Sequence, residues 1–515
     1  MVAQSVLPYQ LKLDTSKTIL TGLGGLALYL DLAHIVGLRD SIARHLSPMG
    51  TSQGWSVEQL LTTLILLNLA GGQCVEDLAK LEGDEGFALI LHRTETFGLP
   101  RAERRELELR WRKSTDRSVP SISALRRFLL LFHDSAQEEL RVSGQAFIPA
   151  PNEALRSLAQ INRDHLSFLQ QHHPKSTATL DMDATLAETL KKEALFCYKG
   201  FRAYQPLNVW WAEQQVVVHS EFRDGNVPAG FEQLRVLQES LACLPQGVEK
   251  VAMRSDTAGY QWDLLRYCAE GKDERFGVID FAVGADVNPA FRAAVRKVAP
   301  EAWQPLCRRQ GERLMDTGQE WAEVCFVPNK SARKKDGPTY RFLAIREPLA
   351  QLELEGMESD QAALPFPTID YPGQIGPRRF KLFGLVTNLD RAGDEVIWWL
   401  RERCGKSEEA HAVMKDDLAG GCLPSKYFGV NAAWWGAMIL ALNLNAIMKR
   451  LVLGAEWVTK RMKAIRYWII NVPGRVVRHA RQLILRLGSS HPSTQILLDA
   501  REVLATLGTG RLAEP

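Results

Sequence analysis

The strongest constraint on the fold is a change of periodicity at Thr177. From about Leu23 to Ile148 apolar residues recur every three or four positions, as in LALYLDLAHIVGL, VEQLLTTLILLNLAGG and ISALRRFLLLFHD, the spacing that gives a helix one apolar face. From Thr177 the texture becomes short runs of β-branched and aromatic residues bounded by turn formers: TATLDMDATL, PLNVWWAEQQVVVHSEF and KVAMRSDTAGY. LLRYCAE then reads as a helix, FGVIDFAVGA as another strand, and KLFGLVTNLD as a later strand ahead of helix-like residues from Ser407. Strands alternating with helices predict an α/β core. Between Asn288 and Phe380, strand-like pieces (EWAEVCFVP, TYRFLAIREP), Pro-rich turns and the basic run KSARKK predict an insertion into that core. After Gly429 the spacing is helical again, from NAAWWGAMILALNLNAIMKRL through RQLILRLGSS.

The expected organisation is a helical N-terminal domain over 1–150 and an α/β core in two parts, 175–287 and 381–430. A β-rich insertion over 288–380 interrupts the core, and a helical basic region follows over 431–515. A chain of 515 residues is long enough for this, since one domain usually takes ~100 to 200. A composition of 46% hydrophobic and 24% charged residues, with Gly and Pro scattered, excludes wholesale disorder. The eight cysteines include no CxxC pair and fit neither a zinc site nor a compact disulfide framework, so a reducing compartment is expected. The N-terminus lacks the basic and apolar regions of a secretory signal, and runs such as LLTTLILLNLA fall short of the ~20 residues of a membrane span. The expectation is a soluble cytoplasmic protein with no membrane partner.

A net charge of +3 does not by itself argue for nucleic acid, so the distribution must. Between Lys449 and Arg486 ten basic residues stand against one acidic residue, Glu456, a stripe suited to a phosphate backbone or to a solvated helical face. Lys449, Arg450, Lys460, Arg461 and Lys463 are its first candidates for DNA contact. The segment from Arg101 to Arg127 is also basic.

Acidic residues inside apolar strands carry the chemistry, because a solitary charge there is costly unless it has a task. In TLDMDAT, Asp181 and Asp183 alternate with Leu180 and Met182, so both carboxylates face one side of a strand, and either can be a ligand. In KVAMRSDTAGY, Asp256 follows an apolar strand and begins a turn, where α/β sheets present functional groups. A third carboxylate is sought in RERCGKSEEAHAVMKDDLAGG. There Ser407 is a candidate N-cap, and Glu408, His411 and Lys415 share one helical face while Glu409 points elsewhere. Hard oxygen ligands of this kind suit Mg²⁺, and a pair of such ions stabilises both the attacking and the leaving oxygen in phosphoryl transfer. Singly, each of these acids is also an ordinary turn, cap or surface residue.

Taken together and in order, these motifs resemble the transposases of the insertion-sequence 1380 family, relatives of the insertion-sequence 4 group of DDE enzymes. The resemblance runs over nearly the whole chain. It includes TGLGGLALYLDLAHIVGL, GWSVEQLLTTLILLNLAGGQCVEDLAKLEGDEGF and VPSISALRRFL near the start, and TLDMDAT with YKGFRAYQPL and MRSDTAGY in the middle. Near the end it includes FGLVTNLD, RCGKSEEAHAVMKDDLAGGCLPS and FGVNAAWWGAMILALNLN. It implies Asp183, Asp256 and Glu408 as catalytic metal ligands, with Asp181 and Glu409 as runners-up. It also implies Lys415 as the phosphate-contacting lysine, with Arg401 and Arg254 as further phosphate contacts.

The wider group's signature is Tyr, two residues, Arg, three residues, Glu, six residues, Lys. Arg401 stands at the Tyr position here and Cys404 at the Arg position, a departure that leaves Arg401 and Arg403 as candidates for the missing guanidinium. The implied fold is a ribonuclease H-like α/β core with a β-rich insertion and all-helical N- and C-terminal regions. The implied cofactor is two Mg²⁺ ions, with Mn²⁺ able to substitute. The implied partners are the terminal inverted repeats of the chain's own element, target DNA and a second copy in a homodimer. Trp303 and Trp321 in the insertion are candidates to stack on a flipped base, against the more usual core role. Two other functions fit the same residues: a transposase-derived DNA-binding protein without catalysis, and a nuclease of the same core that does not join strands. Hydrolysis of sugars by paired carboxylates accounts for neither the basic stripe nor the order of the motifs.

Overall fold

The computed structural model describes residues 18–46, 54–113, 118–142, 144–311, 313–328, 340–349, 366–372, 378–480 and 482–509. The basic run KSARKK lies outside them. The chain divides into two compact units, Met1–Phe128 with Ile447–Pro515, and Leu129–Ala446. The expected N-terminal domain over 1–150 therefore ends earlier, and the C-terminal residues belong to the same unit.

In that first unit, β1 (Ile19–Thr21) leads into helices Leu26–Ile35, Leu38–Leu46, Val57–Ala70 and Glu85–Glu95. Ser56 and Gln59 cap each other's backbone at the start of the third, the reciprocal arrangement that satisfies two free N–H groups. That helix is buried nearly all round from Leu60 to Ala70, so LLTTLILLNLA shows no single apolar stripe.

The second unit is an α/β assembly on one mixed sheet of ten strands. Its first strands are β2 (Thr177–Ala184), β5 (Leu207–Trp211), β6 (Val216–Glu221), β7 (Lys250–Ser255) and β8 (Asp280–Ala285). The small hairpin of β3 (Ala187–Glu188) and β4 (Ala203–Tyr204) stands off the sheet between β2 and β5. β9 (Gln304–Gln310), β10 (Arg313–Val324), β11 (Arg341–Pro348), β12 (Thr368–Tyr371) and β13 (Arg378–Thr387) complete it. The order is β6-β5-β2-β7-β8-β13-β11-β10-β9, with β12 beside β13. β2, β7 and β8 run parallel. Parallel neighbours need crossovers, and helices Gln233–Cys243 and Trp262–Ala269 lie in the two connections that lead into β7 and β8.

The residues expected as an inserted body instead extend this sheet, because β13 pairs directly with β8. One core joins them: Ala282 of β8, Leu306, Trp321, Leu343, Ile345 and Leu385 pack with Val396 and Ile397 of helix Gly393–Arg401. Pairings across such sequence distances leave no local mark, which is why the texture of 288–380 read as separate.

Helix Phe428–Leu453 is long and apolar enough to cross a membrane by length and composition, although the runs in the sequence look too short. In the structure 72% of its apolar window is buried within the protein. Its buried Asn443 exchanges hydrogen bonds with Val217 and Asn162 of the second unit, the behaviour of a core helix.

β14 (Gly474–His479) and β15 (Gln482–Leu487) return to the first unit as a hairpin and pair with β1 in the order β1-β14-β15. This corrects the expectation of an all-helical C-terminal region, and the N-terminal region likewise contains a strand. The sequence GRVVRH…QLILRL satisfies helical spacing and strand alternation alike. Pairing with Ile19–Thr21, more than 450 residues away in sequence, decides for the strand.

Candidate active site

The site begins with the register of two strands. Parallel pairing sets Asp181 opposite Arg254 and Met182 opposite Ser255. Asp183, near the end of β2, and Asp256, the first residue after β7, therefore meet at one edge of the sheet, the carboxyl ends of adjacent parallel strands.

Two residues inward, Asp181 is 4% exposed and Arg254 is 2% exposed. Arg254 Nε donates to Asp181 Oδ1 at 2.6 Å and Nη2 to Oδ2 at 2.9 Å, the bidentate geometry that suits a buried guanidinium and carboxylate. The remaining Nη1 donates to the Trp399 carbonyl at 2.6 Å and to Glu402 at 3.1 Å. Burial still pushes the Asp181 carboxyl above its usual range, against the pull of Arg254 and Arg403. Arg254 is thus spent on holding Asp181 and helix Gly393–Arg401. It is not placed to meet a phosphate, nor is Asp181 placed to ligate a metal. A trace of this pairing was in the sequence: in both DMD and RSD, a charged residue sits two positions before the strand-end aspartate, on the same face.

Asp183 is half-buried, and its Oδ2 lies 3.2 Å from Arg403, whose Nη2 also donates to the Met182 carbonyl at 3.4 Å. Burial raises the Asp183 carboxyl to about 6, with Arg403 pulling down and the nearby Asp256 charge pushing up. Asp256 is exposed, and its Oδ1 accepts the Ala258 N–H at 2.9 Å in the turn Thr257–Gly259.

The third element is broken where the signature departs. Helix Gly393–Arg401 ends, Gly405 takes a φ of 79°, and helix Lys406–Ala412 begins, passing into one π-helical segment, Val413–Asp417. Few residues other than glycine adopt that backbone conformation, and it lets the chain change direction between Arg403 and Glu408. Gly405 occupies the N-cap position, and Ser407, the expected cap, lies inside the first turn. Of the two arginines that can replace the missing guanidinium, Arg403 reaches Asp183, while Arg401 lies 5.2 Å from the Trp398 ring. His411 is half-buried, and burial together with the Lys415 and Arg403 charges depresses it to about 4. Lys415 Nζ donates to the Leu186 carbonyl at 3.2 Å, just beyond β2. Single π-helical segments are frequent at functional sites.

Glu408 and Glu409 are exposed in the first turn of helix Lys406–Ala412. Among the described residues no three His, Cys, Asp or Glu side chains are gathered closely enough to hold a metal ion. Asp183 and Asp256 come together, and the glutamates are not drawn in with them.

Elsewhere, candidates change character. Trp303 and Trp321 are buried, Trp303 with the Arg346 guanidinium 3.9 Å from its ring and Trp321 in the sheet core, so neither is free to stack on a base. Within the basic stripe, Lys449 donates to the Val458 and Lys460 carbonyls at 2.8 and 3.2 Å, and burial lowers Arg450 below its ordinary value. Arg466 closes the end of helix Val57–Ala70 through the Asn68 and Leu69 carbonyls. Arg461 is half-buried, whereas Lys460, Lys463, Arg475, Arg478 and Arg486 are exposed.

The chain belongs to a DDE transposase family: the family model described as "Transposase DDE domain group 1" matches residues 5–509. Membership places it in a class of DNA-cleaving and DNA-joining enzymes that generally use divalent metal ions. Among solved structures it is similar to the "Cryo-EM structure of piggyBac transposase synaptic complex with hairpin DNA", at 10% identity and a TM-score of 0.39, over 97% of this chain and 85% of that one. No curated relative matches the chain.

Proposed function

We propose that this chain is the transposase of an insertion sequence of the 1380 family, which cuts the ends of its element and joins them to target DNA on a ribonuclease H-like core. The observation that carries the reading is the meeting of Asp183 and Asp256 at the ends of two adjacent parallel strands, with Asp183 raised to about 6. The strand sequence supports the core: an antiparallel run of β2, β5 and β6 is followed by β7 and β8, both parallel to β2.

A hard dication fits this donor set. Two close carboxylates, one partly desolvated, are stabilised by added positive charge, and oxygen donors select Mg²⁺ or Mn²⁺. Asp183 and Asp256 would hold it, with Glu408, exposed and apart from them in this structure, as the third ligand that the resemblance implies. When bound, such an ion would supply Lewis acidity toward a phosphodiester.

The chain's own groups do the rest. Arg403, 3.2 Å from Asp183, offsets part of the charge at this strand end. Lys415 anchors Leu186 and presents its ammonium beside the same strand end. Asp181 and Arg254 hold β2, β7 and helix Gly393–Arg401 in register. Water attacks the phosphorus at each element end, the P–O3′ bond breaks, and a 3′ hydroxyl and a 5′ phosphate remain. The 3′ oxygen then attacks a target phosphodiester and displaces its 3′ oxygen. Both ends must be cut in one assembly, so we assign the working form as a dimer. Exposed Lys460, Lys463, Arg475 and Arg478 suit contact with the inverted repeats.

The test is incubation of the full-length protein and its Asp256→Ala variant with a labelled DNA end taken from beside its own gene, a target plasmid, and Mg²⁺ or Mn²⁺. Nicking and joining that need the ion and vanish in the variant are expected. Because the glutamates stand apart from the aspartates, a DNA-binding protein without catalysis is the second reading. Specific binding with no cleavage in either ion would favour it, and cleavage without joining would indicate a nuclease.

A further inference from the structure

Between β2 and β5, residues 185–206 leave the sheet as an ordered arm. Its limbs pair as β3 and β4. They continue through the Thr189 N–H to the Arg202 carbonyl at 3.0 Å and the Cys197 N–H to the Phe201 carbonyl at 2.8 Å. The tip turns at Gly200, whose φ is 83°. The root is held by the Thr185 N–H on the Pro206 carbonyl at 3.0 Å and by Lys415 Nζ on the Leu186 carbonyl at 3.2 Å. The arm thus begins two residues after Asp183 and is tied to the segment that follows Glu408.

The arm buries Ala187, Ala194, Cys197, Ala203 and Tyr204, yet three large apolar side chains stand in solvent. Leu190 is 97% exposed, Tyr198 78% and Phe196 56%. Cations flank the rings: Lys199 Nζ lies 5.8 Å from the Tyr198 ring, and the Arg202 guanidinium lies 4.5 Å from the Phe196 ring. Lys191, Lys192, Lys199 and Arg202 outnumber Glu188 and Glu193. Exposed apolar side chains gathered in one place mark an interaction surface. Aromatic rings interleaved with cations are the arrangement that binds unpaired nucleotides, with bases on the rings and phosphates on the charges. A second copy of the same arm would bring like charge to like charge, so charge complementarity favours DNA.

We infer that this arm binds unpaired DNA beside the cut, with Tyr198 and Phe196 stacking on bases and Lys191, Lys192 and Lys199 meeting the flanking phosphates. The inference rests on the transposase reading and adds to it the element that handles the strand leaving the duplex.

Full-length protein is tested with a labelled single strand of thymidylates and with the labelled element end, its terminal pairs either intact or mismatched. Tyr198→Ala weakens single-strand binding by roughly tenfold or more. It slows cleavage of the intact end more than of the mismatched end and leaves the melting temperature unchanged, because the ring is exposed. Phe196→Ala acts in the same direction, and Tyr198→Trp keeps wild-type binding. Unchanged single-strand affinity in both alanine variants, while the wild type still cuts its end, overturns the inference and leaves the transposase reading standing. A wild type that neither binds nor cuts these DNAs overturns both. Loss of self-association in the variants with DNA affinity intact would assign the arm to a second copy and equally overturn the inference.

Discussion

Asp181 and Asp183 lie on the same face of β2, two residues apart, yet they occupy different chemical regions. The inner one is sealed: Arg254 takes both its oxygens, and what remains of that guanidinium is fixed to the next helix. The outer one has Arg403 at 3.2 Å and a backbone hydrogen bond at Ala184, and shares its edge with another carboxylate. The inner pair gives up reactivity for order, and the outer pair stays electrostatically unsatisfied, the state in which a carboxylate is ready to hold a cation. One strand thus carries its structural and its chemical charge side by side, and residue type alone does not tell them apart.

The largest effect that would sharpen this contrast is on cleavage. Asp183→Ala or Asp256→Ala should lower it on the order of a thousandfold or more with folding intact, as read by circular dichroism. Asp181→Leu combined with Arg254→Met should retain most of it. Loss of cleavage in the folded double variant would break the distinction.

Next comes stability. Arg254→Ala leaves Asp181 buried without its partner and should cost about 3–5 kcal/mol in denaturant unfolding, while the apolar double replacement should recover most of that loss.

A smaller effect of opposite sign is expected at the outer residue. Asp183 has a folded value of about 6 against an ordinary 3.8, so the folded state binds the proton more tightly. Its contribution to stability is fully present below about 3.8 and is lost as pH rises through about 6. Asp183→Asn should therefore stabilise the protein at pH 7 by about 1–3 kcal/mol, a gain that fades in acid. Wild-type cleavage should decline as pH falls below about 6. Equal melting temperatures for the two proteins at pH 7 would count against the raised value.

The smallest effect concerns Arg403. Arg403→Ala removes the charge that pulls Asp183 down, so the acid limb of the cleavage profile should move up by about one pH unit, and Arg403→Lys should move it less. An unmoved limb would mean that Arg403 does not act through Asp183.

Much of the site was legible because its logic is local. An aspartate alternating with apolar residues, or ending an apolar run, declares itself within seven residues; Asp256 could be picked out that way, whereas Asp181 and Asp183 read alike and only the family resemblance favoured Asp183. What stayed hidden depends on distant partners. Arg254 reads as a free cation until its strand is laid beside β2, and Trp303 and Trp321 read as available rings until the sheet closes over them. The hairpin at 474–487 obeys two periodicities at once, and only its third strand, at the other end of the chain, chooses between them. The exposed arm after Asp183 was quoted in the sequence as part of a motif, but that Tyr198 stands in solvent is a property of the fold.

The pairing of Asp181 with Arg254 also bears on how the chain finds its structure. β2 and β7 must align Asp181 with Arg254 across a sequence separation of 73, and a slip of one residue would turn every side chain of one strand to the opposite face. A slip of two keeps the faces but sets Asp181 against a residue that is not basic, stranding a carboxylate in the interior. Misaligned intermediates therefore carry an electrostatic fault that the native alignment lacks. The native alignment pairs both buried charges, and it is the one that brings the two outer aspartates together.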